Sequence, residues 1–213
     1  MSDTLFFDLD GTLIDSEPGI LGGIAYTLAA MGHAPLPREA LLPWIGPPLL
    51  DSFAALFDGD QGRAVQAVDL YRDRYDTQGW RAHSVYPGID GLITALAAEG
   101  RRLAVVTSKR EVFARRILDA LPFCDAFSTV VGASEDGSRR YKRELIAEAL
   151  GRLGAAPAQC TMIGDRRMDI EGARQHGMRS IGVLWGFGSA DELREAGADR
   201  LVETPDALRV AVT

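Results

Sequence analysis

Apolar residues follow two patterns along the chain. Short unbroken runs recur at Leu5–Leu9, Leu103–Thr107, Thr129–Val131, Cys160–Ile163 and Ser180–Val183, each bounded by turn residues. Continuous runs of this length suit strands covered on both faces, as in parallel sheets. Between the later runs the spacing becomes helical. Val112, Phe113, Ile117, Leu118 and Leu121 share one helical face, and Leu145, Ile146, Ala149, Leu150 and Leu153 share another. Strand alternating with helix predicts an α/β fold built on a doubly wound parallel sheet.

The interval 15–86 breaks this alternation. It carries no good strand signal, and its patterning predicts helices near 18–31, 47–57 and 60–77. Ser16, Glu17 and Pro18 form a helix start, Gly32 a stop, and prolines interrupt at 35–37 and 43–48. A stretch of about 70 residues is far too long for one crossover connection. The expected organisation is therefore a core domain of residues 1–14 and 87–213, with an inserted α-helical cap domain at 15–86. Pro87-Gly88 marks the return to the core.

Composition narrows the class. The chain has 213 residues, enough for one large domain or a domain with an insertion. A net charge of −7 argues against a broad nucleic-acid footprint. It leaves room for an anionic small substrate, because a local cation outweighs a distant negative surface. Cys124 and Cys160 form no CxxC pair, so reduced thiols and a cytoplasmic setting are expected. The start of the chain lacks a signal-peptide pattern, and no apolar run approaches the ~18 residues of a membrane helix. Neither nucleic acid nor membrane is an expected partner.

In open α/β sheets, ligands bind beyond the carboxyl ends of the strands. The chemistry-bearing residues fall at those ends. Asp8 and Asp10 close the first strand, and Thr107, Ser108 and Lys109 close the second. Gly164, Asp165 and Asp169 follow the fourth, and Lys142 opens the helix before it. Several acids with one lysine point to a metal and an anion together. Asp8 and Asp165 offer hard oxygen ligands to Mg²⁺, which also takes phosphate oxygens. Such an ion would relieve the repulsion between the acids. Lys142, with the hydroxyls and amides around Thr107 and Ser108, would hold a phosphoryl group. Asp10 is then left to exchange a proton, giving a nucleophile and an acid/base.

Plainer readings exist for each residue. Asp8 and Asp10 also suit a turn, since aspartate favours turns; a calcium loop is disfavoured because Gly11 comes too early. Lys142 has a lesser reading as a solvated helix residue and Thr107 as a strand-end hydroxyl, while for Asp169 a place at a helix N-terminus is compatible with metal support. Trp44, Phe53 and Phe57 belong to the inserted region's core or to a substrate-facing surface. Trp185 and Phe187, between glycines, either pack or touch substrate. His33, His83 and His176 are too scattered for a histidine metal site.

Taken in order, "DLDGT" at 8–12, "VVTSK" at 105–109, Lys142 and "GDRRMD" at 164–169 resemble the motifs of the haloacid dehalogenase superfamily. "IGPPLLDSF" at 45–53 and "GVLWGFGSADELREAGAD" at 182–199 further resemble its phosphoglycolate-phosphatase-like and 5′-nucleotidase-like branch. The resemblance implies a Mg²⁺-dependent phosphatase acting on small phosphate monoesters through an aspartyl-phosphate on Asp8. It implies that Asp10 serves as acid and then base, and that Thr107, Ser108 and Lys142 bind the phosphate. Asp8, the Asp10 carbonyl and Asp165 would ligate the metal, with Asp169 supporting it. Many relatives have proline after the third-motif lysine, whereas Arg143 stands here, beside Arg139 and Arg140. The expected partner is a small-molecule phosphate ester, and the expected state a monomer or weak homodimer. A phosphomutase of the same fold, or a non-catalytic phospholigand-binding protein, are the alternatives.

Overall fold

The computed structural model describes residues 4–212. The strands are β1 (Thr4–Phe7), β2 (Ile14–Asp15), β3 (Ser84–Val85), β4 (Arg102–Arg110), β5 (Phe127–Ala133), β6 (Cys160–Gly164), β7 (Arg179–Val183) and β8 (Arg200–Val202). The helices are α1 (Glu17–Ala30), α2 (Arg38–Leu41), α3 (Leu49–Leu56), α4 (Gln61–Thr77), α5 (Ile89–Ala98), α6 (Glu111–Leu118), α7 (Lys142–Leu153), α8 (Arg167–Gln175), α9 (Ala190–Ala196) and α10 (Pro205–Ala211). The chain divides into two compact units, Met1–Ile14 with Val85–Thr213, and Asp15–Ser84. A small separate sheet pairs β2 with β3, the two segments where the chain crosses from one unit to the other.

The first unit is built on a six-stranded sheet in the order β5-β4-β1-β6-β7-β8, parallel throughout. β1 lies inside it, Phe6 pairing with Ala104 on one side and Met162 on the other. All four β1 residues are buried, as a strand flanked on both edges and both faces requires. Phe6, Val106, Val131 and Met162 pack with Leu145, Ile146 and Ala149 of α7 and Ala173 of α8. Ile170, Leu193 and Ala196 form a smaller cluster between α8 and α9.

β1 stops at Phe7 rather than Leu9, because the chain turns sharply there. Leu9 O accepts from the amides of Thr12, Leu13 and Ile14, which gathers residues 8–14 into a compact loop directly beyond the strand. β4 runs on to Arg110, past the expected Thr107, but only through an irregularity. Val106 pairs with Val131 and Arg110 with Ala133, so four steps on β4 match two on β5. A bulge of this kind re-aims the side chains it contains. The sixth strand, β8, has no counterpart among the expected runs. Three residues, one of them charged, carry too little pattern to announce it.

The second unit is helical, as its patterning predicts. α4 begins at Asp60, whose carboxylate accepts from Arg63 N at 3.0 Å, an N-cap that satisfies one of the helix's free amides. α1 and α3 both pack on α4. Phe53 and Phe57 are buried with stacked rings, and Trp44 meets Phe53 edge-on at 5.1 Å while staying half-buried. Phe53 and Phe57 are therefore core of this unit. α2, four residues of one turn, is too short for periodicity to reveal.

Candidate active site

Asp8 and Asp10 leave the carboxyl end of β1. Asp8 N still donates to Ile163 O at 2.9 Å, so sheet pairing fixes the backbone that carries its carboxylate. Lys142 begins α7. Glu144 secures that start by accepting from the amides of Arg140 at 3.0 Å and Tyr141 at 3.1 Å. The Lys142 side chain is then buried, and Nζ donates to Val106 O at 2.9 Å. The same Nζ lies 3.0 Å from Asp8 Oδ1 and 2.7 Å from Asp169 Oδ1. Asp165 follows β6, and Asp169 sits in the first turn of α8 with Oδ2 accepting from Arg166 N at 3.1 Å.

Four of the expected site residues thus converge, Asp8, Lys142, Asp165 and Asp169. One carboxylate oxygen from each of the three acids lies within 4.8 Å of the others. Asp10, two residues beyond Asp8, pairs instead with Lys109, whose Nζ is 2.9 Å from Asp10 Oδ2. Thr107 is buried beside Val106, and its Oγ1 accepts from Lys109 N at 3.2 Å. Ser108 lies between them, half-buried on the bulged segment of β4. The neighbouring arginines point elsewhere. Arg139 bonds Glu111 and Gly132 O, Arg140 covers the Tyr141 ring, and Arg143 reaches Glu144 at 3.5 Å.

The electrostatics are unbalanced by construction. Three buried acids, Asp8, Asp165 and Asp169, face one buried ammonium. Burial pushes the Asp8 carboxyl up to about 6; Lys142 pulls it down, while Asp169 and Asp10 push it further up. Burial, followed by repulsion from Asp169 and Asp8, raises Asp165 well above the ordinary carboxylate range. Burial opposes charge on Lys142, but Asp169 and Asp8 outweigh it and hold the ammonium above its usual value. Asp8 Oδ1 and Asp169 Oδ1 are buried, and the Lys142 ammonium at 3.0 and 2.7 Å does not meet them in the alignment of a regular hydrogen bond. Unsatisfied buried carboxylate oxygens are costly. An all-oxygen donor set of surplus negative charge fits a hard divalent cation, which supplies the missing positive charge.

Two glycines make the cluster possible. Gly11 holds φ at +83°, and a Cβ on it would fall inside the Asp165 carboxylate. Gly164 is equally close to Asp169. Asp165 is oriented by two groups to which the sequence assigned no such role. Its Oδ1 accepts from Thr12 Oγ1 at 3.2 Å and its Oδ2 from Phe187 N at 2.8 Å. Trp185 Nε1 donates to Thr12 O at 3.0 Å, tying the loop after β7 to the loop after β1. The glycines flanking Phe187 were the available signal, since close backbone approach is one reason for glycine in a loop.

Comparison with known proteins shows the family. The model of the haloacid dehalogenase-like hydrolases matches residues 5–183, and the chain belongs to that family of enzymes. It is similar to a Pseudomonas aeruginosa 5′-nucleotidase, 43% identical over 89% of this chain and 86% of that one. It is 39% identical to the Mycobacterium tuberculosis tyrosine-protein kinase PtkA over 98% of this chain and 72% of the relative. A Xylella fastidiosa phosphoglycolate phosphatase is 33% identical over 96% and 90%. Among solved structures, a Clostridium acetobutylicum protein described as a predicted phosphatase superposes with TM-score 0.96 at 37% identity, covering 100% of this chain and 98% of that one.

Proposed function

We propose that this protein is a Mg²⁺-dependent phosphatase of small phosphate monoesters, working through a phosphoryl group carried on Asp8. The observation that carries the reading is the buried pair of charges at the end of β1, Asp8 against Lys142 at 3.0 Å, with Asp165 and Asp169 beside them. The names of the Pseudomonas and Xylella relatives support the reaction class. Mg²⁺, held by Asp8, the Asp10 carbonyl and Asp165 with Asp169 in support, would neutralise charge on the phosphoryl oxygens.

In the first half-reaction a carboxylate oxygen of Asp8 bonds to phosphorus and the ester P–O bond breaks. Asp10 gives its proton to the departing alkoxide. Lys142 and the hydroxyl of Thr107, with Ser108 beside it, hold the transferring oxygens. In the second half-reaction Asp10 takes a proton from water, the new hydroxide bonds to phosphorus, and the Asp8–phosphorus bond breaks. Phosphate leaves and both aspartates return to their starting states. Lys142 remains an ammonium throughout, because Asp169 holds it charged whether or not Asp8 carries the phosphoryl group.

Phosphoglycolate and nucleoside monophosphates are the substrate classes to test first, on the strength of those relatives. The experiment is phosphate release from a panel of esters with Mg²⁺ and with chelator. Turnover with Mg²⁺ that is lost in chelator supports the reading, and no release from any ester sinks it. The mycobacterial relative's name motivates a second reading, phosphoryl transfer from a nucleoside triphosphate to a tyrosine. Label passing from γ-labelled ATP to a tyrosine peptide, rather than to water, would favour it.

A further inference from the structure

Asp10 differs from the other site acids in its company. Its Oδ2 is 2.9 Å from Lys109 Nζ, with the two side chains only 9% and 7% exposed. Its Oδ1 is buried and has no hydrogen-bond partner. The two oxygens of one carboxylate are thus made unlike, one tied and one open. Lys109 is itself constrained. It sits on the segment of β4 where four steps match two on β5, and its amide donates to Thr107 Oγ1 at 3.2 Å. In a regular strand its side chain would follow the period-2 alternation. The irregularity gives it an aim of its own, toward the loop after β1.

We infer that Lys109 is a positioning residue for the acid/base. It grips Asp10 by Oδ2 and presents Oδ1 as the oxygen that exchanges the proton. This rests on the phosphatase reading above. A lone carboxylate two residues from Asp8 would rotate away from that like charge, and either oxygen would face the reaction at random. The lysine removes that freedom. It takes and gives no proton itself: Oδ1 loses its proton to the leaving alkoxide in the first step and regains one from water in the second. Misplacement of a reacting group by about 1 Å costs on the order of 10² in rate.

The test compares Lys109→Met, Lys109→Arg and Asp10→Asn with the parent on an alkyl phosphate and on p-nitrophenyl phosphate. Steady-state rates, the p-nitrophenolate burst, inhibition by inorganic phosphate and the thermal midpoint are measured for each. A good leaving group needs little protonation, so positioning should matter less for it. Lys109→Met should lose roughly 10- to 100-fold in kcat on the alkyl ester, its burst with p-nitrophenyl phosphate falling far less. KM and phosphate inhibition should stay within about threefold, and Lys109→Arg should recover most of the loss. Should Lys109→Met fail to fold, Lys109→Gln takes its place in the same comparison. A raised KM with weakened phosphate inhibition would overturn the inference, by making Lys109 a substrate contact. Equal losses on both esters with a lowered midpoint would overturn it as mere structural support. If Asp10→Asn shows the leaving-group dependence and Lys109→Met matches the parent, this inference falls and the phosphatase reading stands. If Asp10→Asn is fully active, both fall.

Discussion

Two charge clusters in the core unit show opposite solutions to the same problem. At Glu111, one acid meets three guanidinium groups. Arg115 and Arg152 donate to Oε1 at 2.7 and 3.1 Å, while Arg139, Arg152 and Gly132 N donate to Oε2 at 3.1, 3.2 and 3.3 Å. At Asp8, three acids meet one lysine, and two of their oxygens lack an aligned donor. Burial works against charge on Glu111, but the hydrogen bonds from Arg152 and Arg115 outweigh it and bring its carboxyl down to about 2. Burial brings Asp8 up to about 6. The first cluster is complete: it ties α6, α7 and β5 together. The second is left incomplete in the direction of missing positive charge, which is what the proposed site for a cation and a phosphoryl group would require.

The contrast is broken hardest at Asp8. Asp8→Asn should lose on the order of 10⁴–10⁶ in kcat, the scale seen for removing a nucleophile. Its thermal midpoint in chelator should match or exceed the parent's, because a buried like charge has gone. A lowered midpoint with retained turnover would show that Asp8 serves structure. Lys142→Met should cost about 10²–10³ in rate. It should also destabilise by about 3–5 kcal/mol, the cost of stranding buried partner charges. Denaturant unfolding checks the second number.

Smaller effects sharpen the difference. Mg²⁺ at a hundred times its dissociation constant should stabilise the chelated protein by about 2.7 kcal/mol. Asp165→Asn should erase that gain in a thermal melt, while Glu111→Gln should keep it. Glu111→Gln should itself cost about 1 kcal/mol and leave turnover within about twofold, being a half-exposed pairing away from the acids. The smallest signal is the acid limb of stability. Glu111 titrates lower in the folded chain than its ordinary 4.5, so its contribution is present above that value and lost as pH falls toward about 2. Asp8 has the reverse sign. It holds its proton more tightly when folded, so in chelator stability falls as pH rises from the ordinary 3.8 through about 6. Urea midpoints of Glu111→Gln and Asp8→Asn against pH should each lose one of these slopes.

The candidate site residues were legible as candidates because each is an acid, lysine or hydroxyl standing where an apolar run stops or a helix starts. Asp8 after Phe7 and Asp165 after Gly164 declare themselves in that way, and Lys142 follows from the start of an apolar-faced helix. The strands at 103–107, 129–131, 160–163 and 180–183 were legible for the same reason, each burying both faces. Lys109 was visible as a residue but not as Asp10's partner, because only the bulge in β4 gives it that aim. The Phe187 amide was visible only indirectly, through the glycines on either side of it, since a backbone donor carries no side-chain signature. β8 escaped because at Arg200–Val202 it has three residues and an outer position in the sheet.

The placement of β1 governs how the protein is made. The first strand of the core to leave the ribosome is an inner strand of the finished sheet, pairing with β4 and β6. Its apolar residues and the aspartates behind it must wait while 15–84, a unit with its own packed helices, is synthesised. Only after Cys160–Gly164 emerges can both edges of β1 be covered. Pairings this distant in sequence close large loops and slow folding. Until then the nascent chain carries an apolar segment with at least one open edge, the kind of surface that chaperones hold. The inserted unit is therefore expected to fold ahead of the core that contains the acids, with the candidate site at the carboxyl end of the sheet forming late, an order that pulsed hydrogen exchange during refolding would check.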